Sequence, residues 1–150
     1  MTAATELKPL VKELTVSAPP ERAWSVFTEE IVSWWPVATH SMAPDRVREI
    51  VFESRLGGRI LERWSDGTEH VWGEVDLCDP PRRVRFSWQP NHDRPAATEV
   101  EVTFTAVEGG TLVRLEHRGW ERLGAEEGAE SRFDYDGGWE YVLGRYADKA

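Results

Sequence analysis

The feature that most restricts the fold is a series of two-residue alternations between residues 48 and 117. In Arg83–Trp88, the apolar Val84, Phe86 and Trp88 alternate with Arg83, Arg85 and Ser87. In Thr98–Val107, Val100, Val102, Phe104 and Ala106 oppose Glu99, Glu101, Thr103 and Thr105. Thr111–His117 presents Val113, Leu115 and His117 opposite Leu112, Arg114 and Glu116. A period of two places each set on its own face of a pleated strand. Arg48–Glu53, Arg59–Trp64 and Glu69–Leu77 carry weaker versions of the signal. Gly57-Gly58, Ser65-Asp66-Gly67, Asp79-Pro80-Pro81 and Glu108-Gly109-Gly110 separate the runs, and only Gln89–Ala97 is a longer polar stretch. Turns this short join antiparallel neighbours, because a parallel pair needs a crossover of about a dozen residues. The pattern predicts a six-stranded meander with one apolar and one charged face, and the apolar face needs a cover.

The flanking segments supply the cover. Leu10–Val16 alternates and reads as one more strand. Ala23, Trp24, Phe27 and Ile31 recur at helical spacing, so Pro20–Trp34 is predicted as one or two short helices, stopped by Pro36. Val37–Arg46 is irregular, and an ordered stretch of that length often covers a site. Near the C-terminus, Trp139, Val142, Leu143 and Tyr146 fall at i, i+3, i+4 and i+7, an apolar stripe on a helix that Phe133 and Tyr135 extend. Gly137-Gly138 interrupts it, marking either a kink, a close approach to the sheet or room for a ligand. Trp34 and Trp35 are adjacent and cannot both face the core of a helix, so one belongs to a lid or an exposed patch. The prediction is a single α+β domain over residues 1–150. A curved antiparallel sheet of about seven strands, the first paired with the last, wraps around a long C-terminal helix.

Composition excludes several classes of function. No apolar run approaches the ~20 residues of a spanning helix, so no membrane insertion is expected. Met1–Leu10 carries no leader-like stretch, and the sole cysteine, Cys78, allows no internal disulfide. The chain therefore reads as cytoplasmic. With 27 acidic and 18 basic residues, net charge −9, it is a poor partner for a nucleic-acid backbone. The densest basic spot, Arg82-Arg83-x-Arg85, reads as the solvent face of a strand. The four histidines lack metal-ligand spacing, no nucleophile elbow or phosphate-cradling loop occurs, and no cofactor is assigned. Eight tryptophans in 150 residues call for an aromatic core, and a core so rich in large rigid rings is easier to build around a cavity.

Trp34-Trp35-Pro36, Gly57-Gly58-Arg59, Glu69-His70-Val71-Trp72-Gly73-Glu74-Val75, Pro80-Pro81-Arg82-Arg83, Phe86-Ser87-Trp88, His117-Arg118-Gly119-Trp120-Glu121 and Gly137-Gly138-Trp139 resemble the START-like helix-grip (SRPBCC) superfamily. Within it they resemble the relatives of the activator of heat-shock-protein (Hsp90) ATPase. The resemblance runs from about Leu10 to Ala147. It implies a cavity between the concave sheet and the long helix, in a superfamily that includes lipid carriers, hormone receptors and polyketide cyclases.

The alternation then nominates the lining. Phe52, Trp64, Phe86, Trp88 and Phe104 come from the sheet, Tyr135, Trp139 and Leu143 from the helix, and Trp35, His40 and Trp120 from the segments beside them. Trp72 points outward unless Gly73 marks a bulge. His117 is either a hydrogen-bonding or acid–base group at the cavity mouth or a structural histidine bonded to a backbone carbonyl. Glu62, if it faces inward with Trp64, must be paired or carry a raised pKa, and pairing with His117 or Tyr135 would make an acid–base site. His70 and His92 read as exposed. The function expected first is non-enzymatic binding of a small apolar or aromatic molecule, anchored by His117, Glu62 or Tyr135. The alternatives are a cyclase- or hydrolase-type enzyme and a chaperone-related interaction module. A homodimer would form through an edge strand or an aromatic patch.

Overall fold

The structure is a computed structural model and describes residues 7–150. The leaderless reading of Met1–Leu10 falls mostly on residues 1–6, outside the described residues. The elements are β1 (Leu10–Val16), α1 (Pro20–Phe27), a 3-10 turn (Ile31–Ser33), α2 (Val37–His40), β2 (Val47–Phe52), β3 (Arg59–Trp64), β4 (Glu69–Asp79), β5 (Arg83–Trp88), β6 (Thr98–Val107), β7 (Gly110–Arg118), a second 3-10 turn (Trp120–Leu123) and α3 (Ala125–Lys149). The seven strands form one antiparallel sheet in the order β1-β7-β6-β5-β4-β3-β2. β1 closes onto β7, with Leu10 opposite His117 and Leu14 opposite Val113. This is the helix-grip arrangement that the alternation and the C-terminal stripe called for.

The apolar rows bury as the period dictates: Val84, Phe86, Val100, Val102, Phe104, Val113 and Leu115 are all inside. The opposite face is laced with charge. Arg118 donates to Glu99, Glu101 and Glu116, while Arg82 pairs with Asp79, Arg83 with Glu101 and Arg85 with Asp76. Each exposed pair adds little stability, but together they keep that face wet and leave the arginines of Arg82–Arg85 matched by acids.

β4 is where simple alternation fails. Ile60 pairs with Gly73 and Leu61 with Val71, so Trp72 is an extra residue on β4. The bulge turns Trp72 inward, where it is 1 % exposed. A second shift makes Asp76 an extra residue, so Val75 and Cys78 meet the core and Leu77 does not. Gly73 makes the first bulge possible: a Cβ there would sit 1.7 Å from the Ser87 carbonyl oxygen.

α3 runs unbroken through Gly137-Gly138, which disposes of the kink. It is fastened to the rest by Tyr146 Oη donating to the Ala23 carbonyl (2.8 Å), Arg145 to the Trp34 carbonyl (2.8 Å) and Lys12 to Glu140 (2.8 Å). Phe133 does not extend its buried stripe and is 79 % exposed. Trp34 and Trp35 are both buried, contrary to expectation. The chain leaves the 3-10 turn at Trp34 in a non-helical conformation, so neighbouring rings can turn inward together, and their indoles donate to the Val26 and His40 carbonyls.

Gly73→Ala is expected to destabilise the fold by about 3 kcal/mol or more, since the clash is with backbone. Urea unfolding at pH 7 measures it, and an unchanged midpoint would contradict the role given to the bulge.

Candidate functional site

Most of the space between sheet and α3 is filled by rings. Phe104 meets Trp24 and Phe27 at 5.4 and 5.8 Å, Phe27 meets Tyr146 at 5.2 Å, and Phe52 meets Phe86 at 5.3 Å. Phe52, Phe86, Phe104 and Leu143 are therefore core residues, not cavity lining. Space remains at one end, where β5 terminates. There a cavity of about 380 Å³ lies between Trp35, Trp88, Trp120, Tyr135 and Trp139. Trp88 stands 5.5 Å from Trp139 and 6.1 Å from Trp35, ring to ring. The mouth is formed by Thr39–Met42 on one side and by Gln89, Pro90, Asn91 and Arg94 on the other. Gly138 keeps the helix wall open, because a Cβ built there meets nothing within 4 Å. Of the readings of Gly137-Gly138, room beside the helix is the one the geometry matches.

Following the α3 stripe backward from Val142 and Trp139 leads to Gly138, Tyr135 and Ser131, all on the cavity. Sequence reasoning missed Ser131 and the loop residues. The signal available was polarity on the buried side of an amphipathic helix, at the same three- and four-residue spacing.

His117 is fully buried behind this wall. Its Nδ1 accepts from Trp139 Nε1 at 2.9 Å, and its Nε2 lies 2.6 Å from Thr98 Oγ1. Thr98 Oγ1 gives its own proton to the Trp88 carbonyl at 3.1 Å, so Nε2 must carry the hydrogen that Thr98 accepts. Trp88 Nε1 in turn donates to Tyr135 Oη at 3.1 Å. The bonds run in one direction from Trp139 through β7, β6 and β5 and return to α3 one turn earlier. The ring is thus a fixed neutral tautomer with both nitrogens engaged, and burial pushes its pKa down to about 3. It is a structural histidine, bonded to side chains rather than to the backbone carbonyl envisaged, and it does not face the cavity.

Glu62 is also fully buried, and it pairs with neither His117 nor Tyr135. Oε1 accepts from Met42 N (2.7 Å) and Trp72 Nε1 (2.9 Å), and Oε2 from Ala43 N (3.1 Å) and Trp64 Nε1 (2.8 Å). A carboxylate has about four lone-pair positions, and all are occupied. Its work is to hold the mouth segment after α2 against β3 and to orient Trp72, whose ring lies 4.9 Å from Trp35. Trp64 lies outside the cavity, stacked on His70. His70 is half-buried rather than exposed, stacked 4.0 Å from His92. His70 Nε2 is 2.6 Å from the Pro90 carbonyl and His92 Nε2 is 2.6 Å from that of Val71. Each imidazole thus reaches across to the other's segment. His40 does border the cavity. It stacks on Tyr141, its Nδ1 is 2.7 Å from Thr39 Oγ1, and burial lowers its pKa. Burial, with the Asp79 charge beside it, raises the Cys78 thiol and leaves it a weak nucleophile.

A curled seven-stranded antiparallel sheet gripping a C-terminal helix, with an aromatic cavity at one end, defines a START-like helix-grip protein. The family model described as activator of Hsp90 ATPase homolog 1-like protein matches residues 17–147. The chain belongs to that family. Among solved structures, it is similar to protein MLL2253 from Mesorhizobium loti, at 20% identity over 94% of this chain and 95% of that one, TM-score 0.70. It is also similar to the Aha1 dimer from Colwellia psychrerythraea, at 19% identity over 95% of each chain, TM-score 0.67. A third structure, an anthrahydroquino-γ-pyrone synthase named Txn09 in complex with SUM, is 31% identical over 95% of this chain and 97% of that one, TM-score 0.63. No curated protein matches the sequence. No helix among the described residues is long and apolar enough to cross a membrane.

Two outcomes follow from the buried groups. The unfolded chain takes a proton on His117 near pH 6.5 and the folded chain near 3, so between those values the unfolded state binds more protons and stability falls as pH falls. The slope from this group is about 1.4 kcal/mol per pH unit. Unfolding free energies from urea titrations at pH 6, 5 and 4 should decline in the native chain by about that slope relative to His117→Gln. Glu62→Gln replaces two acceptor positions with N–H donors facing N–H donors, and a loss of about 3 kcal/mol is expected by urea unfolding.

Proposed function

We propose that the chain binds a small, predominantly aromatic organic molecule in the cavity between Trp35, Trp88, Tyr135 and Trp139. The observation that carries this reading is the cavity itself: about 380 Å³ of space left open beside Gly138 in an interior otherwise packed with rings. That volume, with an aromatic wall and polar groups around the mouth, is ordinary for a small-molecule site. The 31% identical neighbour, a synthase complexed with SUM, supports the same reading.

That neighbour also favours a second reading, in which the bound molecule is a substrate for ring formation. Proton transfer by the His117–Glu62 combination finds no support, since every polar atom of both side chains already has a partner. An enzymatic variant would have to use groups on the cavity, of which Tyr135 and His40 are the ionisable aromatic ones.

Native mass spectrometry of freshly purified protein, with extraction of any bound species, tests the binding reading directly. Gly138→Leu sharpens it. Leucine gains about 0.8 kcal/mol of helix propensity over glycine, so thermal stability should hold or rise. Its side chain projects into the cavity, so a co-purifying molecule, or 1-anilinonaphthalene-8-sulfonate as a probe, should lose at least 10-fold in affinity. Equal binding by both proteins would place the ligand elsewhere.

A further inference from the structure

The polar groups of the deep cavity wall are nearly all spoken for. The indole N–H of Trp35 goes to the His40 carbonyl, that of Trp120 to the His117 carbonyl, and that of Trp139 to His117 Nδ1. Thr98 Oγ1 is engaged on both sides. Tyr135 is different. Its oxygen accepts from Trp88 Nε1 at 3.1 Å, which fixes where the hydroxyl sits. Trp88 can only donate, so the phenol proton cannot be returned to it. Among the described residues no acceptor is bonded to that proton, and the space that Tyr135 lines is the cavity. The phenol is wedged between His117 at 5.0 Å and Trp120 at 5.5 Å, so it cannot swing away to find water elsewhere. Burial holds it protonated by raising its pKa, against a smaller opposing effect of the Trp88 N–H. One helical turn earlier, Ser131 is buried and lines the same cavity. Positions i and i+4 share a helix face about 6 Å apart.

We infer that the cavity selects aromatic molecules bearing a carbonyl or phenolate oxygen on their inner edge, and that Tyr135 Oη donates the selecting hydrogen bond with Ser131 Oγ as a second donor. The inference rests on the ligand-binding reading and adds the chemical class of the ligand. A purely hydrocarbon ring system would fill the same volume but strand the phenol proton without an acceptor. A site built around an oriented donor discriminates against such an analogue.

9-Fluorenone and fluorene test this, since they share a tricyclic plan and differ by one ketone oxygen. Their dissociation constants are measured by isothermal titration calorimetry against the native chain, Tyr135→Phe and Ser131→Ala. The native chain should prefer fluorenone about 10-fold, and Tyr135→Phe should lose that preference. Tyr135→Phe also strips Trp88 Nε1 of its acceptor, but any resulting shift of the wall acts on both probes, so the ratio between them carries the result. Ser131→Ala leaves the Trp88 bond intact and should narrow the preference about 3-fold. If the native chain binds both probes equally, or Tyr135→Phe and Ser131→Ala both keep the preference, the assignment of the donors is overturned and the cavity reading stands. If neither probe binds the native chain, both fall.

Discussion

The structure hangs on a circuit of directed hydrogen bonds that starts and ends on the C-terminal helix. Trp139 donates to His117, His117 to Thr98, Thr98 to the Trp88 carbonyl, and the Trp88 indole to Tyr135. One helix and three consecutive strands are thereby tied at a single level of the grip. In a water-poor interior, such bonds are costly to leave unmade, so the helix cannot slide or rotate against the sheet without breaking several together. The circuit also has a polarity. Every donor is consumed by the next member until Tyr135, whose proton is left over at the cavity wall.

The same logic separates structural polar groups from chemical ones. A buried histidine and a buried carboxylate in one small domain look, on residue types alone, like an acid–base pair. Geometry assigns them to two unconnected scaffolds, one locking the helix to the sheet and the other pinning the segment after α2. Neither has a lone pair or proton to spare. What remains for a ligand is an aromatic box with the Tyr135 and Ser131 hydroxyls on its helix wall and Gln89, Asn91, Arg94 and Asp134 also on its lining.

The architecture was legible because it is written in periodicity. The strand alternations, the short turns and the Trp139–Tyr146 stripe specify seven strands and a long helix, and the resemblance supplied the grip. The site was only partly legible. Trp35, His40, Trp88, Trp120, Tyr135 and Trp139 border the cavity, while Phe52, Phe86, Phe104 and Leu143 pack into the core at another level. Period two tells which face a side chain takes, but not how far along the strand the packing stops. The inward turn of Trp72 hung on one inserted residue, for which Gly73 was the sole cue. Two of the four partners of Glu62 are backbone amides nineteen and twenty residues away, and nothing local encodes those contacts.

The β3–β4 hairpin grips both lips of the cavity. From β3, Glu62 holds Met42 and Ala43. From β4, His70 and the Val71 carbonyl hold Pro90 and His92. The two lips approach from distant parts of the chain, yet they are moored to one short ribbon near the edge of the sheet. The mouth therefore behaves as part of a single cooperative unit with that ribbon, not as two independent flaps. Parting the lips therefore means breaking bonds to a ribbon that β2 and β5 flank on either side, so the width of the opening is set by the sheet rather than by the loops that frame it.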